Sequence, residues 1–251
     1  MATSGGLARA EGLRGWFDLQ LRFAEVAAAR RGEPLGEAVG VLTNLHRRFG
    51  LGTLGKAPPA PLWARFVGGL EARANFDARL DWTVACCAEG PGGKTPDPVF
   101  GCFAFDPPDD DGVVRIHFEN RDDDGVSPLV AAKAPARRGE AAAMFAHIAA
   151  TWPQAQTVKG GSWLYNLEAY RRLFPPEYGA SRVRPEAVRL NGTSSWGQLI
   201  DHLGRVKPKA RETFLANLAD LDPAAPWRVF PLPALAVSAP LAAFTAFYRA
   251  D

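Results

Sequence analysis

The sequence is poor in the residues that usually declare a chemistry. Of 251 residues, 3 are cysteine, 4 histidine, 4 tyrosine and 2 methionine. Cys86 and Cys87 are adjacent, Cys102 stands apart, and no C-x-x-C spacing occurs. That pattern excludes a disulfide framework and a cysteine-based zinc site, and predicts a reduced, cytoplasmic setting. None of the histidines (His46, His117, His147 and His202) has a second histidine or a cysteine at ligand spacing, so no metal is predicted. Long apolar runs are missing too. No stretch approaches the roughly 18–20 apolar residues of a membrane span, and residues 1–10 lack the apolar core of a secretory signal. A membrane partner is therefore not expected.

Charge of one sign is also lacking: 29 Lys plus Arg face 27 Asp plus Glu, a net charge of +2. The basic pairs Arg30-Arg31, Arg47-Arg48, Arg137-Arg138 and Arg171-Arg172 lie at helix ends, where arginine suits the helix dipole. They are spread along the chain without interleaved exposed aromatics, which argues against a nucleic-acid partner. Two familiar motifs fail on inspection. Ser162 follows Gly160-Gly161, but Leu164 stands where a nucleophile elbow requires glycine. Residues 90–93 form neither a phosphate loop nor a dinucleotide fingerprint.

What is present is ordinary globular material. The chain is 47% hydrophobic and 22% charged, and long enough for one large domain or two small ones. Its Ala, Arg, Gly and Pro content, with little lysine, is of a bacterial, high-GC kind. Apolar residues at three- and four-residue spacing predict helices over Leu13–Arg31, closed by Gly32, and over Pro34–Phe49. A third helix begins near Pro61 and breaks near Asn75. Strand composition marks Val99–Phe105 and Val113–Phe118, joined through Asp109, Asp110, Asp111 and Gly112 as an antiparallel hairpin. Arg138–Trp152 reads as a helix and Gln156–Tyr165 as a strand, with Asn166 as N-cap of a helix stopped by Pro175 and Pro176. Further expectations are a strand over Arg182–Leu190, a helix capped by Ser194 or Ser195, a helix from Pro208 to Leu221, an extended proline-rich stretch and a terminal helix over Leu241–Tyr248. The predicted fold is α/β or α+β: a helical region over residues 1–94 and a mixed region over 95–251, with a small mixed sheet flanked by helices.

Several residues invite a chemical reading. Alternation along Val113–Phe118 puts Arg115, His117 and Glu119 on one sheet face; that face is a pocket wall or a wetted surface. The acidic runs 109–111 and 122–124 read as solvated turns, with a cation-binding hydrolase as the remoter alternative. Cys86 and Cys87 read as buried thiols, since nothing local supplies a base. The segment from Lys159 to Tyr178 holds three of the four tyrosines. In it Ser162, Trp163, Asn166 and Tyr170 are candidate substrate-binding residues together with Arg115, and Tyr165 is a candidate acid beside His117. The competing reading makes Trp163, Tyr170 and their neighbours core aromatics.

Five short motifs carry a family resemblance. These are Ile116-His117-Phe118 in a strand, Ser127-Pro128-Leu129 at a turn, Met144-Phe145 in a helix, Ser162-Trp163-Leu164 at a strand end, and Leu173-Phe174-Pro175 at a helix end. Together, over residues 112–200, they resemble the C-terminal domain of a poorly characterised bacterial group related to the GNAT acyltransferases. The resemblance implies a GNAT-like sheet and an acyl-CoA ligand, with His117, Ser162 and Trp163 at matching positions. One departure is plain. The acetyltransferase pyrophosphate loop needs Gln or Arg three residues before its first glycine, and Ala136 occupies that place before Gly139. The functional expectation is an acyltransferase-like enzyme using His117 or Tyr165 for proton transfer, against a non-catalytic ligand-binding or protein-interaction module.

Overall fold

The computed structural model describes residues 4–52, 54, 60–91, 98–192 and 194–249. In chain order its helices are α1 (Ser4–Gly12), α2 (Arg14–Arg31), α3 (Leu35–Leu42), α4 (Leu45–Arg48), α5 (Pro61–Glu71) and α6 (Phe76–Glu89). Strands β1 (Val99–Phe100), β2 (Phe103–Asp106) and β3 (Val113–Phe118) follow, then α7 (Ala134–Thr151) and β4 (Thr157–Ser162). The chain continues through α8 (Glu168–Arg171), α9 (Pro176–Ala180), α10 (Pro208–Ala219), β5 (Leu235–Pro240) and α11 (Leu241–Arg249). The fold is thus mixed α/β, with a five-stranded mixed sheet flanked by helices. No described helix is long and apolar enough to cross a membrane. The chain divides into two compact units, Met1–Lys94 with Ala187–Pro231, and Thr95–Glu186 with Leu232–Asp251.

The first unit is helical. Gly32 takes the left-handed conformation at φ 65° that ends α2, and its amide caps the Ala28 carbonyl. Pro61 opens α5, and the Asn75 side chain accepts from the Ala78 amide at 2.9 Å to start α6. The core gathers Trp16, Phe23, Phe66, Trp196, Phe214 and Phe230, all buried. Aromatics of this size contribute roughly 1.5–3 kcal/mol each when fully buried. The Trp16 indole donates to the Trp196 carbonyl at 3.1 Å, and the Trp196 indole to that of Leu190 at 2.9 Å. Arg30 and Arg31, in the last turn of α2, donate to the carbonyls of Leu221 and Pro223, both at 2.9 Å. These bonds tie residues 187–231 to the N-terminal helices.

The second unit is the sheet with helices on one face. Strand order is β1-β2-β3-β4-β5, antiparallel except for the parallel pair β3–β4, whose connection carries α7. The Asp109 carboxylate accepts from the amides of Asp111 and Val113 at 3.2 and 3.0 Å, closing the β2–β3 hairpin as its acidic turn predicts. Phe103, Phe105, Val114, Ile116, Val158 and Val237 point to the inner face. There they pack with Met144, Phe145 and Ile148 of α7 and Phe244 of α11.

Several local expectations change. A helix, α1, precedes the one expected from Leu13, and the helix expected to run from Pro34 to Phe49 breaks at Thr43-Asn44. The Val99–Phe105 run is two strands folded back at Gly101, whose φ of 57° needs glycine. In place of a strand over Arg182–Leu190 there is one bridge, Val183 to Ala236. Ser195 makes no capping bond, and only a short 3-10 turn, Trp196–Leu199, follows it. The proline-rich tail supplies a full strand, β5, paired with β4 over six residues. The Gly- and Pro-rich loops expected over residues 50–61 and 89–98 lie largely outside the described residues.

Candidate functional site

The outer face of the sheet carries the chemistry. One row of paired residues crosses it from Asp106 to Arg115, from Arg115 to Lys159, and from Lys159 to Ser238. The next holds Ala104 paired with His117 on one side, and Gly161 paired with Ala236 on the other. Between His117 and Gly161 the pairing stops. The parallel ladder covers Val113–Thr157, Val114–Val158 and Arg115–Lys159 only. Beyond it β3 pairs with β2 alone and β4 with β5 alone, so the two parallel strands part at their carboxyl ends. Ligands of open α/β sheets enter at such ends.

Arg115, His117, Lys159 and Gly161 are exposed around that parting. Arg115 Nη1 lies 2.9 Å from Asp109 Oδ2, and His117 Nε2 lies 3.1 Å from Asp106 Oδ2, with 47% of the His117 side chain exposed. The Asp109 carboxyl is held below its ordinary range first by the Val113 amide and then by Arg115. Among the described residues Lys159 has no side-chain partner, although it stands directly opposite Arg115. Like charges facing each other across strands oppose pairing. Above Gly161 there is open space where a side chain would stand.

On the inner face the same parting is filled by aromatics. Tyr165 and Tyr170 are buried, and the Tyr165 hydroxyl shares a hydrogen bond with that of Tyr178 at 3.0 Å. A methyl group at Gly160 would overlap the Tyr165 hydroxyl, so glycine there admits the tyrosine to the strand backbone. Burial raises the hydroxyl of Tyr165 well above the tyrosine range, with the neighbouring Tyr178 adding to it; burial does the same to Tyr170.

The remaining expected residues shape the turn after β4. Ser162 Oγ accepts from the Leu164 amide at 3.1 Å and caps a 3-10 turn over Trp163–Asn166. The half-buried Trp163 begins that turn, and its carbonyl receives Asn166 Nδ2 at 2.7 Å. Asn166 does not cap a helix; its amide also donates to the Pro233 carbonyl at 2.8 Å, fastening the turn to the segment before β5. The expected strand therefore ends at Ser162. The structure brings Arg115 and His117 together, adds Lys159 and Gly161, and sets Tyr165 and Tyr170 on the opposite face.

The other candidates are structural. Burial pushes the Cys86 thiol up to about 11 and raises those of Cys87 and Cys102, which disfavours thiolate chemistry. Asp122 and Asp124 receive Lys133 Nζ at 2.6 and 2.8 Å, and Asp122 also pairs with the buried Arg137 at 3.0 Å. Among the described residues no group of three or more His, Cys, Asp or Glu is placed to hold a metal ion. Comparison with protein-family models, curated proteins and solved structures finds no match to this chain.

Proposed function

We propose that this chain is an acyltransferase-like protein that binds an acyl-CoA on the outer face of its sheet, where β3 and β4 part. The observation that carries the reading is the ending of the parallel ladder at Arg115–Lys159, with open space over Gly161 beyond it. Two cations at the last rung suit the phosphates of such a ligand, and bare backbone at Gly161 leaves room for its approach. Proton transfer falls to His117 in this reading. With Nε2 held by Asp106, Nδ1 is free to take the proton of an attacking amine as the new N–C bond forms. The thioester C–S bond breaks and CoA departs as its thiolate. Tyr165 is too deeply buried to serve.

A second reading, a non-catalytic module that binds its ligand on the same face, is favoured by a different observation. Ala136 and Gly139, at the positions of the missing pyrophosphate-loop signature, lie inside the first turns of α7 and not in a loop before it. Calorimetric titration with acetyl-CoA and free CoA tests the cofactor binding that the first reading requires, and silence at millimolar ligand supports the module. An acyl-transfer assay over a panel of amines, comparing the natural chain with His117→Ala, separates the two readings. Turnover lost in the variant with binding retained supports the enzyme; binding without turnover supports the module.

A further inference from the structure

The helical unit buries a polar corner that has no part in the site on the sheet. Between α3 and α4, Thr43 and Asn44 are fully buried, as is Gln20 of α2. The Asn44 amide donates to Gln20 Oε1 at 3.0 Å, and so is turned away from the Gly40 carbonyl that a continuing helix would offer it. The Leu45 amide turns to Thr43 Oγ1 at 3.4 Å. This is where the helix expected to reach Phe49 breaks.

The exchange leaves polar groups over. Among the described residues, Gln20 Nε2 and both polar atoms of the Asn44 side chain are buried without a partner. The orientation of Gln20 is fixed, because only its oxygen can accept from the Asn44 amide. Its Nε2 therefore belongs to the same carboxamide that holds the Asn44 backbone amide. A buried donor or acceptor left unpaired loses its hydration with nothing in return, and three such atoms in one corner weigh heavily against the small margin by which a domain stays folded. Buried water meets this need in proteins, typically with about three hydrogen bonds to such groups.

We infer that this corner is a water-binding site, in which at least one water bridges Gln20 Nε2 and the Asn44 carboxamide and makes the break between α3 and α4 a stable joint. The ligand class is water because the groups left over are an amide donor and a carboxamide with both a donor and an acceptor, all uncharged and fully buried. A high-resolution crystal structure of the full chain tests the assignment. It should show a density peak within hydrogen-bond distance of Gln20 Nε2 and of Asn44 Oδ1 or Nδ2. Water-oxygen magnetic relaxation dispersion should lose the amplitude of at least one long-lived water in Asn44→Leu. Direct contact between the two carboxamides, or no peak between them, would overturn the inference, and this holds even if the variant fails to fold.

Discussion

Arg115 and Lys159 face each other across the last rung of the parallel ladder, two cations side by side on an exposed sheet face. Arg115 is neutralised by Asp109 at 2.9 Å, whereas Lys159 has no such partner among the described residues. Cross-strand like charges oppose pairing by roughly 0.2–1 kcal/mol, so Lys159→Ala should leave thermal stability unchanged or slightly raised. Binding of acetyl-CoA should weaken by about tenfold or more, the loss of one charge-assisted hydrogen bond of ~1.5–3 kcal/mol. Calorimetry and thermal melts of the one variant read both effects. A lysine that mattered only to the fold would reverse them.

On the other side of the sheet, Gly160→Ala should destabilise the second unit by roughly 1–3 kcal/mol, the usual cost of overpacking. Removing the obstructing hydroxyl with Tyr165→Phe, which alone should cost about 0.5–1.5 kcal/mol, ought to recover part of that loss. A double-mutant cycle by denaturant unfolding gives the coupling. Strict additivity would mean that the two residues do not touch.

The buried tyrosines predict an alkaline response. The folded-state values of Tyr165, Tyr170 and Tyr178 are raised, chiefly by burial. Their contribution to stability is full below the unfolded value of about 10 and is lost as pH rises through the folded values. Ultraviolet titration of the native chain should therefore show these three silent until the protein unfolds, followed by a cooperative rise. Gradual ionisation of all four tyrosines near the ordinary value would contradict the packing.

Acid acts on a different element. Lys133 and then Arg137 hold the Asp122 carboxyl below its ordinary value, so the stability it contributes is present above the unfolded value and is lost as pH falls through the lowered folded one. Asp122→Asn should lower stability at neutral pH and flatten its dependence below about pH 4. Melting temperatures measured in acid and at neutrality check the sign. An unaltered slope would remove Asp122 from the acid response.

How much of this was legible in the sequence varies with the element. The Asp109–Gly112 hairpin, α7 and α10 were readable because turn chemistry and apolar spacing are local signals. Strand β5 was not, since Leu235–Pro240 is built from small residues between prolines and lies in the sheet only through its pairing with β4. The break at Asn44 depends on Gln20, 24 residues earlier. Within the site, alternation alone placed Arg115 and His117 together. Lys159 and Gly161 joined them only through the register of β3 with β4, which no local pattern states. Tyr165 drew notice for its hydroxyl, but nothing in its neighbours said that the 3-10 turn after Ser162 would carry it to the inner face.

Calorimetric titration of the full chain with acetyl-CoA, with free CoA beside it, tests the central claim most directly. The account predicts saturable micromolar binding that Lys159→Ala weakens and rising salt diminishes. No heat of binding at millimolar ligand would contradict it.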